Sequence, residues 1–172
     1  MTVLEAALLY ASQGRAVLPL YDVDANGVCT CWQREHCPTP GKHPRLDTGV
    51  KGASADERTI RRWLERQWPN RCNLGIATGR ASGLVVIDVD PKHDGFVTLA
   101  ALERELGSLP SSTPRVRTGS GGLHVYLAYP TDGSAIRNSE GRLGPGIDVR
   151  GEGGYVVCPP SVTNKGPYTW LM

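Results

Sequence analysis

The chain has 172 residues, 40% of them hydrophobic and 21% charged, an ordinary soluble composition long enough for one domain, or two small lobes sharing a core, that needs no disulfides. A net charge of +2 neither demands nor excludes nucleic acid as a partner, so that question passes to local patches. The N-terminus carries no basic leader and no apolar run nears the roughly 18 residues of a membrane span, which excludes a signal peptide and a spanning helix and points to the cytoplasm.

Thr2-Val3-Leu4-Glu5 has the form of a capping box, and apolar residues recur through Tyr10 until Gly14 can end a first helix. Ala16 to Tyr21 then reads as a strand, and Pro19 within it calls for an edge or a bulge.

Three of the five cysteines crowd into the segment 27–45, where Cys29, Cys31, Cys37 and His43 follow the spacing C-x-C-x5-C-x5-H. Three thiols and an imidazole complete a tetrahedral set suited to Zn²⁺, and four protein ligands leave no open position, so such a site is structural. His36 competes with His43 as the fourth ligand. The plainer alternative is a group of free surface thiols. Cys72 and Cys158 sit beside strand-like runs and read as small buried hydrophobes.

A second capping box, Ser54-Ala55-Asp56-Glu57, opens a helix to about Trp68 with Ile60, Trp63, Leu64 and Gln67 on its apolar face. Arg58, Arg61, Arg62 and Arg66 make its other face basic, either a solvated surface or a contact for nucleic-acid phosphates. Asn73 to Gly79 is a strand ending in a turn, one short hairpin before the next element.

That element, Leu84-Val85-Val86-Ile87-Asp88-Val89-Asp90, is an apolar, largely β-branched run that ends in two carboxylates. Alternation puts Asp88 and Asp90 on one face, with Ile87 and Val89 on the other. Carboxylates on a core strand must be paired, protonated or bound to a cation, and two hard oxygen ligands suit Mg²⁺ or Mn²⁺. The alternative is a strand end running into the polar turn Pro91-Lys92-His93-Asp94-Gly95.

Thr98 to Leu106 reads as a short amphipathic helix closed by Gly107, and Ser108 to Pro114 as a linker. Arg115 to Leu127 then forms strand, glycine turn and strand. Backbone N–H groups at Ser120, Gly121 and Gly122 can approach phosphate oxygens closely, flanked by Arg115 and Arg117. Leu123, Val125 and Leu127 take the core face, which leaves His124 and Tyr126 on the other, the histidine emerging beside the glycine turn. Asp148 in Gly146-Ile147-Asp148-Val149-Arg150 is a third carboxylate on a strand. Gly151 to Gly154 makes a hairpin turn, and Tyr168 to Leu171 a last strand.

Asp88-x-Asp90, then Gly121-Gly122-Leu123-His124, then Asp148 stand in the order that two-metal nucleotidyl transfer uses. With these motifs the sequence resembles the primase-polymerase (prim-pol) domain family of the archaeo-eukaryotic primase superfamily, found in replication proteins of plasmids, phages and other mobile elements. The resemblance runs almost end to end. It takes in the opening helix and Pro19-Leu20, Gly41-Lys42-His43-Pro44, Lys51-Gly52-Ala53, Asn73 to Gly79, and Gly153-Gly154-Tyr155-Val156-Val157 with Pro159-Pro160-Ser161.

The resemblance implies an α+β fold, with an RRM-like catalytic sheet of antiparallel or mixed strands, a small N-terminal α/β lobe, and the site in the cleft between them. It makes Asp88, Asp90 and Asp148 the ligands of two catalytic Mg²⁺ or Mn²⁺ ions. Ser120, Gly121, Gly122 and His124 become the grip on the incoming triphosphate, with Arg117 and Arg150 as helpers. It implies a DNA primase or DNA polymerase that works on a single-stranded DNA template with NTP or dNTP. The chain would be the N-terminal part of a longer replication protein with a helicase region beyond it. The cysteine cluster is an elaboration that many relatives lack.

Two enzyme rivals fit less well. A TOPRIM domain needs a glutamate ending an earlier strand, whereas Glu57 and Glu65 fall on a helix, and a haloacid-dehalogenase-type phosphatase wants Thr or Val where Lys92 stands. A non-catalytic DNA- or nucleotide-binding replication module is the alternative from another class.

Overall fold

The computed structural model describes residues 1–69 and 71–171. It is a mixed α/β structure of antiparallel sheets with few helices. Helix α1 (Val3–Ser12) begins at the expected capping box, with both reciprocal Thr2–Glu5 hydrogen bonds made, and packs Ala6, Ala7 and Tyr10 inward. Strand β1 (Val17–Leu20) pairs antiparallel with β2 (Asn73–Ala77), and β2 with β8 (Tyr155–Cys158). Pro19 is therefore on an edge strand, where a missing N–H costs no ladder bond. The small sheet takes its third strand from late in the chain, so it is not built from the N-terminal segment alone.

Helix α2 (Glu57–Arg61) corrects two expectations. Its cap is Asp56, which accepts from the Thr59 N–H at 2.8 Å, because Ser54 is already bridged to Val17 on the edge of β1. From Arg62 to Gln67 the helix widens into π geometry, with the Trp68 N–H reaching back to the Trp63 carbonyl at 2.8 Å. Ile60, Trp63 and Leu64 are buried as expected, but the wider turn rotates Gln67 off that face and exposes it. Cys72 and Cys158 are buried in the main core, as expected.

The larger sheet has six strands in the order β11-β4-β5-β3-β7-β6, every neighbouring pair antiparallel. In chain order these are β3 (Leu84–Val89), β4 (Arg115–Arg117), β5 (Leu123–Ala128), β6 (Ser139–Glu140), β7 (Ile147–Arg150) and β11 (Thr169–Leu171). The acidic strand β3 lies between β5 and β7. Strands β9 (Val162–Thr163) and β10 (Gly166–Pro167) form a separate hairpin. Helix α3 (Gly95–Leu106) starts three residues earlier than the periodicity suggests and ends at Gly107. Among the described residues no helix is long and apolar enough to cross a membrane.

Two expected hairpins turn out to be crossovers. Gly79 and Leu84 bridge each other, but β2 and β3 then diverge into different sheets. Gly151–Gly154 likewise joins β7 of the large sheet to β8 of the small one. The two crossovers are tied together: the Thr78 N–H donates to the Gly154 carbonyl at 2.8 Å, and the buried Thr78 hydroxyl donates to the Gly151 carbonyl at 2.6 Å. The sheets thus part from a common seam.

The face of the large sheet that carries Val86, Val116 and Tyr126 belongs to the same core as β1, β2 and β8. Tyr126 is 3% exposed and His124 is 4% exposed. The expectation that these two point away from the core is overturned, because both faces of this sheet are covered. On the opposite face Val85, Val149 and Tyr129 form a smaller cluster with Ile87 and Ile136.

Candidate active site and metal centre

Register sets the site. Asp88 on β3 stands opposite His124 on β5 and opposite Asp148 on β7, so the three side chains form one row across the middle of the sheet, on one face. His124 Nε2 lies 3.4 Å from Asp88 Oδ1. Arg150, two residues along β7 and on the same face, puts Nη2 at 2.9 Å from Asp148 Oδ2 and 3.5 Å from Asp88 Oδ2. Burial alone would raise the Asp88 pKa. The hydrogen bond and charge of His124, then Arg150, outweigh it and hold the carboxyl below its ordinary 3.8, so Asp88 is an anion at neutral pH.

Asp90 ends the strand and caps the following turn, accepting from the Lys92 N–H at 2.9 Å. A cavity of about 250 Å³ is lined by Asp88, Asp90, Asp148, Ser120, His124 and Arg150, so six of the side chains expected from the sequence meet in one place. A second cavity of about 430 Å³ continues it between the sheets, with Asn138, Tyr155, Val156 and Val157 in its wall. Asp88, His124, Arg150, Lys42 and Tyr168 border both. Arg117 is not with them: it is exposed and pairs in register with Leu123, on the face opposite His124, a placement that does not suit a hold on the same phosphates.

The glycine turn joins β4 and β5 through Thr118, whose N–H donates to the Gly122 carbonyl at 3.0 Å. Gly121 has φ +86° with open space beyond it, whereas a Cβ on Gly122 would collide with the Val89 carbonyl oxygen. That oxygen belongs to the end of the acidic strand, so Gly122→Ala must push the turn away from it. We expect a loss of about 1–3 kcal/mol in denaturant unfolding, and an unchanged midpoint would show that the turn yields freely.

The second centre is also assembled. Ligand atoms of Cys29, Cys31, Cys37 and His43 all lie within 4.8 Å of one another, and His43 Nε2 is 3.5 Å from the sulfurs of both Cys29 and Cys37. His36 is exposed and outside the group, which decides between the two histidines. Burial, with Arg45 adding to it, lowers the His43 pKa and favours the neutral imidazole that a metal needs. The ring stacks on Tyr21 at 4.6 Å, and Arg45 covers Tyr21 from 4.4 Å while pairing with Asp22 at 3.1 Å.

The cleft-lining residues that the sequence did not assign are Lys42, Asn138, Tyr155 and Tyr168. Lys42 and Tyr155 had a signal, since both stand in stretches that carry the resemblance, Gly41-Lys42-His43-Pro44 and Gly153-Gly154-Tyr155-Val156-Val157.

A family model described as Prim-Pol, bifunctional DNA primase/polymerase, N-terminal, matches residues 7–172. The chain belongs to the Prim-Pol family. No curated protein matches it. Prim-Pol membership indicates primase/polymerase function, binding of DNA and nucleotide, and dependence on metal, and the carboxylate row described above lies within the matched residues.

Proposed function

We propose that residues 1–172 are a catalytic prim-pol domain, a DNA-directed nucleotidyltransferase that makes or extends primers on single-stranded DNA from NTP or dNTP. We extend the reading to a cytoplasmic replication protein of a plasmid, phage or other mobile element, continued by a helicase region. The observation that carries the activity is the row of Asp148, Asp88 and His124 on three adjacent strands, in one cavity with Asp90, Ser120 and Arg150. The six-stranded sheet is the RRM-like catalytic layer, and the cleft toward the small sheet is the active site.

The donor set fits hard divalent cations, because Asp88 is held ionised and Asp88 and Asp148 already share the positive charge of Arg150. Asp88, Asp90 and Asp148 hold two Mg²⁺ or Mn²⁺ ions, whose chemistry when bound is to lower the cost of deprotonating a 3′-hydroxyl and to neutralise charge on the α-phosphate. Ser120 and the Gly122 N–H hold the triphosphate for in-line attack, with Arg150 at hand for phosphate oxygens; the Gly121 N–H, expected from the sequence to join them, is instead spent on the Thr118 carbonyl at 2.9 Å. His124 fixes Asp88 through Nε2, while its Nδ1 is buried and makes no hydrogen bond among the described residues. The Cys₃His donors fit Zn²⁺, and with four protein ligands the ion is structural, bracing the insert 27–45.

The test is to incubate the purified chain with Mn²⁺ or Mg²⁺, labelled nucleotides and single-stranded DNA, with and without an annealed primer. Products formed without primer establish a primase, and extension of primer alone establishes a polymerase. No product on any template would leave a non-catalytic binding module.

A further inference from the structure

Lys42 enters the cleft from the insert that carries the Cys₃His cluster, and its side chain lines both parts of the cleft. The backbone beneath it is held at three successive residues from three directions. The Gly41 carbonyl accepts from Asn73 Nδ2 at 2.8 Å, the Lys42 carbonyl accepts from the Tyr155 hydroxyl at 3.0 Å, and the His43 carbonyl accepts from the Tyr21 N–H at 2.9 Å. Gly41 has φ +77°, and a Cβ there would press on Val23 and on the Thr163 backbone at 3.3 Å, so this turn is seated closely. The His43 ring then anchors it in the cluster.

The charge at its tip is unspent. Lys42 lines the cavity of Asp88, Asp90 and Asp148, yet among the described residues those carboxylates pair with His93, His124 and Arg150, and Lys42 makes no ion pair. An unpaired ammonium facing a cation-binding carboxylate row across a polar cavity suits an anion that sits between them.

We infer that Lys42 binds the phosphates of the incoming nucleotide, and that Cys29, Cys31, Cys37 and His43 form the positioning device that holds it there. This rests on the nucleotidyl-transfer reading of the cleft. Apart from the three cysteines, among the described residues only Tyr21 packs into the insert's apolar cluster. The metal adds to these hydrogen bonds by fixing the His43 ring next to Lys42, and losing it removes part of the preorganisation of the nucleotide site.

The experiment measures binding, without turnover. The non-hydrolysable analogue α,β-imido-dATP is titrated calorimetrically into wild type, Lys42→Ala and Lys42→Arg in the presence of Mg²⁺, beside dAMP and a labelled single-stranded oligonucleotide. Lys42→Ala should weaken analogue binding on the order of 10- to 100-fold, as loss of a charge-assisted hydrogen bond does. It should weaken dAMP binding less than analogue binding, since dAMP offers one phosphate in place of three, and leave oligonucleotide binding unchanged, and Lys42→Arg should recover most of the loss. Zinc-stripped wild type should lose analogue affinity in the same direction, with little further loss from Lys42→Ala.

Unchanged analogue binding in Lys42→Ala, or no analogue binding by wild type, overturns the assignment. Weaker oligonucleotide binding with the analogue unaffected gives Lys42 to the template instead and also overturns it. Full affinity in stripped protein overturns the positioning role. Primer extension by wild type is scored separately: its absence, with a Lys42-dependent analogue site intact, removes the polymerase reading and leaves this one standing.

Discussion

Asp88→Ala should lower primer extension on the order of 10³-fold or more while leaving single-stranded DNA binding within about twofold, since electrostatic contacts to a reacting phosphate carry losses of that size and DNA affinity rests on many dispersed contacts. Asp88 is the middle member of the row, in register with both His124 and Asp148, so no neighbour can replace its oxygens without shifting a strand. The fold should tolerate the change, because Arg150 keeps Asp148 at 2.9 Å. Asp88→Asn sharpens the result: it preserves shape but removes the charge. Extension by both variants within about tenfold of wild type would remove Asp88 from the chemistry. Loss of DNA binding in step with activity would mark the substitution as structural.

This site was legible in the sequence to the extent that strands made it. Period-2 alternation states which residues share a face, and antiparallel pairing then needs only the correct neighbours to bring Asp88, His124 and Asp148 together. Alternation does not say which face meets the rest of the protein. His124 and Tyr126 therefore read as pointing outward, when their face is packed against the small sheet.

The partition into two sheets was hidden for a similar reason. A tight turn such as Gly79–Leu84 has the same local chemistry whether its strands continue as a hairpin or diverge, and the choice is made by the Thr78, Gly151 and Gly154 contacts from 73 to 76 residues away. Lys42, Asn138, Tyr155 and Tyr168 lie in loops or at strand ends, where periodicity carries no information about direction. The Cys₃His cluster was the easiest to read, since ligand spacing is itself the signal, and only the choice between His36 and His43 needed coordinates.

Stripping zinc should lower the melting temperature by roughly 8–16 °C. An ion present at a thousandfold excess over its dissociation constant contributes about 4 kcal/mol by mass action, and a chain of this size shifts about 2–4 °C per kcal/mol. The effect should reach beyond the insert. Arg45 couples the cluster to the body of the protein, stacking on Tyr21 at 4.4 Å and on Trp68 at 5.7 Å, pairing with Asp22, and donating to the Arg71 carbonyl at 2.6 Å. Losing the ion also leaves three buried thiols in a small cluster, with burial pushing Cys37 up to about 11, so at neutral pH that sulfur reverts to a neutral thiol. Scanning fluorimetry before and after chelation, with metal content measured on the same samples, checks this: Zn²⁺ should restore the transition and Mg²⁺ should not. A chain that purifies with no bound transition metal and melts at the same temperature after chelation would reduce the four residues to free thiols and a histidine.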